Sequence, residues 1–257
     1  MKRIFSLFAI MFFSFCAFST PTWMWVGTYS ITNGPCNLDS LTDAADNGNY
    51  FYNAACQYHP NGPTPVRSVN AVNSDVTIGA CQSGDRESCD FIVMSGHGCK
   101  RGMAINQNDL SCPYHDFWTS EMAFGTSYLR WAFLTGCNTL FYDNFNDFFY
   151  GTGSWEPAFK GIQCVLGYGS AGYIFPNQCT MFWQLWTSGY SIWNAYREAT
   201  RYWIYQNGGL GIRPAIVTSR NASGHYFWDD SYSQATSTQA VTWPVGTQWQ
   251  VYGTPRY

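Results

Sequence analysis

Short apolar runs alternate with longer amphipathic stretches along the chain, a pattern typical of α/β proteins. Five apolar runs bounded by turn residues predict strands at 23–29, 91–94, 131–135, 162–166 and 214–218. Residues 248–252 alternate weakly, like an edge strand. The amphipathic stretches predict helices at 39–56, 117–129, 139–150, 178–187 and 191–206. This order predicts an α/β sandwich.

The first nineteen residues form a separate segment. Lys2 and Arg3 precede an apolar stretch over residues 4–18, and small residues at 17 and 19 suit cleavage before Thr20. A membrane anchor is the alternative, but about fifteen apolar residues are fewer than the roughly 20 that a bilayer requires. We therefore expect residues 1–19 to be a secretory signal peptide. Residues 20–257 are expected to form one domain with a polar C-terminal extension from about 221, secreted to an extracellular, periplasmic or lumenal space.

Composition narrows the class of protein further. The 257 residues are 46% hydrophobic, 19% aromatic and only 11% charged, with 13 basic and 16 acidic residues. Such a chain is expected to fold compactly, because disordered segments and charged coiled coils have many more charges and fewer aromatic rings. The absence of a basic surplus argues against nucleic acid as a partner. We expect no membrane partner after signal cleavage, and the oligomeric state is left open.

The cysteine count is odd once the signal peptide is removed. Ten cysteines become nine when Cys16 is lost, so in an oxidising compartment eight would pair and one would remain. Proximity along the chain favours the pairs 36–56, 81–89, 99–112 and 164–179. That pairing leaves Cys137, and Cys164 is the alternative because it lies inside a predicted buried strand.

Two predicted strands end in residues capable of catalysis. The run 91–94 continues into Ser-Gly-His97-Gly98, and the run 131–135 continues into Gly136-Cys137. Parallel strands bring their carboxyl ends to one edge of a sheet, where ligands bind in open α/β folds. We therefore expect His97 and Cys137 to face each other across a cleft.

A cysteine beside a histidine can act as a nucleophile. The thiol is mostly protonated at its ordinary pKa of about 8.5, and an adjacent imidazole helps to supply the thiolate. His97 could then protonate the leaving amine, while the amides of Gly98 and Cys137 stabilise an oxyanion. Water would hydrolyse the acyl-enzyme.

The two motifs resemble those of the caspase-like cysteine peptidase clan, which includes caspases, metacaspases, legumains and gingipains. In that clan a His-Gly follows the third strand and a Cys the fourth. The resemblance implies a three-layer αβα sandwich with a roughly six-stranded, mainly parallel caspase-like sheet. It also implies His97 as the catalytic histidine, Cys137 as the nucleophile and Gly98 as an oxyanion contributor, with a protein or peptide substrate and no cofactor. The chain differs from metacaspases in having Asn138-Thr-Leu after the cysteine.

Two other patterns overlap this region. His97, Cys99, Cys112 and His115 form a candidate zinc set, but the spacing is unlike common zinc knuckles and export favours a 99–112 disulfide, so no metal is expected. Residues 167–172 satisfy the Gly-x-Gly-x-x-Gly pattern, yet no helix follows directly, as dinucleotide binding requires. We instead expect Gly169 and Ser170 to flank the cleft and shape the substrate pocket.

A second candidate function belongs to a different class. The 12 tryptophans and 18 tyrosines could provide stacking surfaces for a non-catalytic, disulfide-stabilised binding module on the same scaffold. Burial in the core is the simpler explanation for most of these rings. Near the C-terminus, His225 and Asp229 are expected to form a solvent-facing pair rather than to orient a catalytic group.

Overall fold

The computed structural model describes residues 24–32, 40–41, 43–59, 65–72, 88–99, 102–106, 114–118, 122–141, 158–170, 176–206, 212–219, 225–237 and 250–253. In chain order its elements are β1 (Trp25–Ser30), α1 (Ala44–Tyr58), β2 (Val66–Val72), β3 (Phe91–Ser95), β4 (Gly98–Cys99), β5 (Gly102–Asn106), β6 (Tyr114–Trp118), β7 (Trp131–Leu134), β8 (Cys164–Tyr168), α2 (Pro176–Thr187), α3 (Ile192–Gln206), β9 (Pro214–Thr218), a 3-10 helix (Phe227–Asp229), α4 (Tyr232–Ser237) and β10 (Gln250–Gly253). The predicted signal peptide lies outside the described residues.

The main sheet has seven strands in the order β10-β9-β8-β7-β3-β1-β2. Five neighbouring strands, from β2 to β8, are parallel, and β9 and β10 pair antiparallel to their neighbours. Strands β4, β5 and β6 form a separate antiparallel sheet. The prediction of an α/β fold around a mainly parallel sheet is therefore confirmed, with one strand more than the six expected.

One face of the main sheet is packed with aromatic rings. Phe51 of α1 and Trp183 and Trp186 of α2 contact Phe91 of β3 and Trp131 of β7, with ring centroids 4.8 to 6.2 Å apart. All five side chains are at most 1% exposed. Burial of each ring contributes on the order of 2 kcal/mol to stability. We call this side, covered by α1, α2 and α3, the helical face.

The other face is built mostly from aliphatic side chains, and we call it the aliphatic face. Ala132 and Leu134 of β7, Val165 of β8 and Val217 of β9 are buried there, and Met103 of the small sheet packs against the same cluster. The segment 122–129 also covers this face in a non-helical conformation, with an isolated bridge from Phe124 to Phe159.

The helix predicted at 117–129 is wrong for a local reason. Residues 117 and 118 belong to β6, and Gly125 has a φ of 87°, in the left-handed region that glycine adopts without strain. The Phe124 amide donates to the Ala158 carbonyl at 2.8 Å. The apolar side chains of Met122, Phe124 and Leu129 are thus buried in a segment that is not helical.

Among the described residues no helix is long and apolar enough to span a membrane.

Candidate functional site

Strands β3 and β7 bring the two sequence motifs to one edge of the sheet. The strands are parallel neighbours, with Met94 aligned to Leu134. Just beyond them the Thr135 amide donates to the Met94 carbonyl at 2.9 Å. The His97 and Cys137 segments therefore leave adjacent strands at the carboxyl edge, and both side chains are half-buried there.

The backbones of the two segments are in direct contact. A Cβ added to Gly98 would lie 2.6 Å from the carbonyl carbon of Gly136 and 2.7 Å from the amide nitrogen of Cys137. A Cβ added to Gly136 would lie 2.7 Å from the Cα of Gly98. Real Cβ atoms do not approach so closely, so both positions require glycine. Glycine at these two positions allows the residue after His97 to pack directly against the residue before Cys137.

Three buried hydroxyl groups lie beneath this contact. The side chains of Ser95, Thr135 and Thr139 are 1%, 2% and 0% exposed. The Thr135 hydroxyl lies 3.0 Å from the Ser95 hydroxyl and 3.1 Å from the Met94 carbonyl oxygen, which joins the ends of β3 and β7. None of the three was a candidate from sequence, because a lone Ser or Thr in a strand end carries no local signal.

Thr139 holds the cysteine turn from below. Its hydroxyl lies 3.2 Å from the Leu134 carbonyl oxygen and 3.3 Å from that of Gly136, and it accepts a 3.4 Å hydrogen bond from the Tyr168 amide. The side chain thus contacts both β7 and β8. Hydrogen bonds of this kind to a fully buried hydroxyl are costly to lose, because the partners remain buried.

Cys137 lies in a turn that includes the first two residues of the helix predicted at 139–150. Residues 137–140 form the turn, and Asn138 adopts a φ of 55°, which asparagine tolerates better than most residues. Its amide donates to the Ser170 carbonyl at 2.8 Å, and the Leu140 amide donates to the Tyr168 carbonyl at 3.0 Å. The turn is therefore bonded to the end of β8. Residues 142–150 of the predicted helix lie outside the described residues.

The glycine-rich stretch at the end of β8 makes room for this turn. A Cβ on Gly167 would lie 2.8 Å from the Thr139 hydroxyl oxygen, so the missing side chain makes room for the turn. Gly169 and Ser170 follow at the same edge, and the Ser170 hydroxyl accepts a 2.8 Å hydrogen bond from the Arg213 amide. Helix α2 begins at Pro176, and residues 171–175, which include the last two positions of the Gly-x-Gly-x-x-Gly pattern, lie outside the described residues.

A hydrogen-bond network buried on the helical face anchors β8. The Tyr168 hydroxyl donates to Gln178 Oε1 at 2.7 Å, and Gln178 Nε2 donates to the Thr200 hydroxyl at 2.6 Å. The Tyr196 hydroxyl donates to the Gly167 carbonyl at 2.7 Å. Burial raises the pKa of both tyrosines, so they act here as neutral hydrogen-bond groups.

The structure corrects two of the expected disulfides. Cys56, Cys164 and Cys179 are free thiols, so the pairs 36–56 and 164–179 are wrong. Cys164 is the first residue of β8, whereas Cys179 lies in α2, which follows the other end of that strand. A five-residue strand spans on the order of 13 Å, and this length separates the two thiols. Burial raises the pKa of the Cys179 thiol to about 12 and that of Cys164 still further. The pairs 81–89 and 99–112 involve Cys81 and Cys112, which lie outside the described residues.

The candidate zinc set is incomplete in the described part of the chain. Cys112 and the side chain of His115 lie outside it, and no group of three metal-ligating side chains occurs within it. His225, which was expected to pair with Asp229, has its Nε2 2.5 Å from Asp230 Oδ1. This pair follows β9, which runs antiparallel to β8, and so lies at the edge opposite Cys137.

That opposite, amino edge holds a second polar cluster. Asp90 Oδ2 accepts a 2.9 Å hydrogen bond from the Trp25 amide, and its Oδ1 lies 3.5 Å from Arg130 Nη2. Burial raises the pKa of Asp90, although the Trp25 amide and Arg130 act in the opposite direction. Burial likewise raises the pKa of Asp230 despite the contact with His225. Asp90, Trp25 and Arg130 connect the beginnings of β3, β1 and β7.

The chain matches one protein family and several solved structures. The family described as "Domain of unknown function (DUF6345)" matches residues 23–245, and no curated protein sequence matches the chain. Among the solved structures that match is the crystal structure of the Arg-specific cysteine proteinase gingipain R, at 11% identity and a TM-score of 0.44. The match covers 80% of this chain and 45% of that one, so the chain spans less than half of the gingipain structure.

Proposed function

The chain belongs to the DUF6345 family, and we propose that it is a caspase-like cysteine hydrolase that cleaves peptide bonds. In this proposal Cys137 is the nucleophile, His97 is the general base and acid, and the Gly98 amide contributes to an oxyanion site. The observation that supports it is the backbone contact of Gly98 with Gly136 and Cys137 at the carboxyl edge of β3 and β7. That contact holds a histidine and a cysteine in adjoining segments.

The reaction follows from the chemistry of the two side chains. His97 accepts the proton of the Cys137 thiol, and the thiolate attacks the carbonyl carbon of the scissile peptide bond. The negative charge that develops on the carbonyl oxygen is stabilised by the Gly98 amide. The C–N bond breaks as His97 donates its proton to the leaving amine. A water molecule, deprotonated by His97, then attacks the thioester and releases the acid and the thiol.

The surroundings of the pair favour a fixed geometry. The buried hydroxyls of Ser95 and Thr135 join the strand ends under the His97 segment, and Thr139 holds the cysteine turn between β7 and β8. Preorganised catalytic groups lower the barrier because little motion is needed at the moment of reaction. Gly169 and Ser170, at the end of β8, are proposed to flank the bound peptide.

We test the proposal with paired substitutions and two readouts. Cys137→Ala and His97→Ala should each lower kcat/KM on fluorogenic peptides and casein by at least about 1000-fold. Thermal unfolding temperatures should stay close to that of the wild type. Cys56→Ala is the matched control, because it removes a half-buried free thiol of α1 and should leave activity unchanged.

Thiol mapping separates the proposal from the non-catalytic alternative. Iodoacetamide treatment of the native protein should alkylate Cys137 and leave Cys164 and Cys179 unmodified, because burial keeps both as thiols. Persistence of hydrolysis in Cys137→Ala would contradict the assignment. Absence of hydrolysis in the wild type together with Cys137 recovered in a disulfide would favour a binding module.

Export is part of the proposal. We propose that residues 1–19 direct secretion and that the mature chain begins at Thr20, on the basis of the two basic residues and the apolar run that follows. Mass spectrometry of protein recovered from a secreting host should find Thr20 as the N-terminal residue. Recovery of an intact N-terminus in the cell pellet would contradict export.

A further inference from the structure

Arg67 of β2 is a half-buried cation at the outer end of the main sheet. Its Nε and Nη2 atoms donate to the Thr28 hydroxyl of β1 at 3.1 and 2.6 Å. Nη1 donates to Asn49 Oδ1 of α1 at 2.8 Å, and Nη2 donates to Asn70 Oδ1 of β2 at 2.7 Å. The guanidinium carbon lies 5.5 Å from the centre of the Tyr52 ring. All of these partners are neutral groups.

The charge of Arg67 has no counterion in the described part of the chain. Burial lowers the pKa of Arg67, and the Tyr52 hydroxyl alone among these residues acts in the opposite direction. A cation that is partly removed from water is normally paired with an anion, because an unpaired charge in such a place costs free energy. A carboxylate from outside the domain would supply that pairing.

The two asparagines present hydrogen-bond donors to solvent. A guanidinium only donates hydrogen bonds, so the amide atoms that face it are oxygens. The Nδ2 groups of Asn49 and Asn70 therefore point away from Arg67, and both side chains are exposed. A positive charge flanked by amide donors favours a carboxylate, which accepts hydrogen bonds and does not donate them.

These donors border an edge strand. Strand β2 is the last in the order of the main sheet, and among the described residues it pairs with β1 alone. The register of the two strands shifts next to Arg67 and is regular from Val69 to Val72. The main-chain amide and carbonyl groups on the outer side of that regular stretch can pair with an extended peptide.

The spacing allows an added strand to reach the cation. Neighbouring strands are about 4.8 Å apart, and the Cβ atoms of directly opposite residues are about 5 Å apart. A glutamate carboxylate oxygen extends roughly 3.5 Å from its own Cβ. A glutamate opposite Asn70 can therefore contact Asn70 Nδ2 and approach the guanidinium that is bonded to Asn70 Oδ1.

We propose that the outer edge of β2 binds an extended acidic segment of another protein by strand addition. The main chain of the segment pairs with β2, and a carboxylate of the segment accepts hydrogen bonds from Asn49 and Asn70 and pairs with Arg67. Basic segments are repelled, and neutral segments leave the charge of Arg67 unpaired. Strand β2 is three strand intervals from β7, which leads to Cys137, so this inference does not rest on the proposed hydrolase function.

A peptide series tests the binding directly. Fluorescein-labelled peptides in which Thr alternates with Glu, Gln or Lys are titrated with the full chain carrying Cys137→Ala, so that no peptide is cleaved. Fluorescence anisotropy should give a Kd for the Glu peptide at least about tenfold below that for the Gln peptide, with the Lys peptide weaker still. A fully N-methylated Glu peptide should not bind, because it has no amide hydrogens with which to pair.

Three outcomes of this series would overturn the inference. The Glu and Gln peptides could bind equally, which would remove the role of the charge. The N-methylated peptide could bind as well as its parent, which would remove strand addition. None of the peptides could bind, which would remove the site.

Asn70→Asp tests the missing counterion within the protein itself. The substitution keeps the shape of the side chain and places a carboxylate against Arg67. It should raise the thermal unfolding temperature by about 2 °C or more and weaken binding of the Glu peptide at least about tenfold. Gln184→Glu is the control, because it adds the same charge at an exposed position of α2 and should change neither value. An unchanged unfolding temperature or an unchanged Kd in Asn70→Asp would overturn the inference.

Removal of the cation provides the complementary variant. Arg67→Gln should abolish the difference in Kd between the Glu and Gln peptides, whereas a difference that persists would show that another group attracts the carboxylate. This substitution also removes the hydrogen bonds to Thr28 and Asn49 and is expected to lower stability. Asn70→Asp keeps Arg67 in place, so it decides the question if Arg67→Gln does not fold.

Discussion

The two edges of the main sheet hold their polar groups in different ways. At the amino edge, Asp90 contacts Arg130 and the Trp25 amide, and His225 contacts Asp230. At the carboxyl edge, glycine backbones touch, and buried hydroxyls hold the adjoining strand ends. The amino edge has carboxyl groups with raised pKa values, a common mark of active sites. Here burial of Asp90 and Asp230 accounts for both shifts, and each carboxyl group already contacts a cationic or ionisable side chain of the same edge.

This contrast predicts that substitutions at the carboxyl edge change activity, whereas those at the amino edge change stability. Among substitutions that leave the side chains of His97 and Cys137 in place, the largest effect on activity is expected for Gly98→Ala. The added Cβ would overlap the carbonyl carbon of Gly136 and the amide of Cys137, and the two segments must separate. A displacement of about 1 Å costs on the order of 100-fold in rate, so kcat/KM should fall by about that factor.

Gly169→Ala is the control for that substitution. Its Cβ would make only ordinary contacts, at 3.7 to 3.9 Å, so kcat/KM on the same peptides should stay within about twofold of the wild-type value. Wild-type kcat/KM in Gly98→Ala would show that the backbone contact does not set the geometry of the site.

At the amino edge, Arg130→Met should destabilise the protein with little effect on catalysis. The side chains of Arg130 and Asp90 are 15% and 13% exposed, and removing one partner of a largely buried ion pair costs about 3 kcal/mol. Urea unfolding should show this loss, and kcat per folded molecule should be unchanged. A drop in kcat at unchanged stability would break the distinction between the two edges.

Thr139→Val should have a smaller effect on both properties. Valine keeps the shape of the side chain but loses the hydroxyl that contacts β7 and β8. We expect a loss of about 1 kcal/mol in unfolding free energy, and a several-fold lower kcat with KM unchanged because the cysteine turn is held less firmly. Thr139→Ser should restore kcat. A variant in which KM alone changes would contradict a positioning role.

The smallest expected effect is a change in how stability depends on pH. Burial raises the pKa of Asp90 above its ordinary value of 3.8, so the folded protein binds this proton more tightly than the unfolded chain does. The contribution is complete below pH 3.8 and is lost as the pH rises through the folded pKa. Relative to Asp90→Asn, the wild type should therefore lose stability as the pH rises above about 4, measured by urea unfolding. A relative gain over that range would contradict the direction of the shift.

The fold was predictable where local pattern and packing agree. Strands β3 and β7 are uninterrupted apolar runs because both of their faces are buried. Ser191 was expected to begin the last long helix, and its hydroxyl accepts a 3.3 Å hydrogen bond from the Asn194 amide. Strand β2 was missed because Val66–Val72 mixes polar and apolar residues as an edge strand does. The order of the strands in the sheet could then be anticipated only in part.

The candidate site divides in the same way. That His97 and Cys137 leave neighbouring strands follows from where their apolar runs end, and the sequence shows those ends. The contacts of Thr139 and the hydrogen bond from the Arg213 amide to Ser170 could not be found in this way, because they depend on how the cysteine turn folds back onto β8 and on β9 running antiparallel to it. No local pattern specifies either event.

The tryptophans of the helical face provide an optical signal suited to these experiments. Trp131, Trp183 and Trp186 are buried, with ring centroids 5.4 Å apart from Trp131 to Trp186 and from Trp183 to Trp186. Trp131 is the first residue of β7. The other end of that strand, which leads to Cys137, is on the order of 10 Å from Trp131. Intrinsic fluorescence should therefore shift when the helical layer opens and stay constant when a peptide binds at the other edge. One spectrum thus separates variants that have lost their structure from those that have lost only their chemistry.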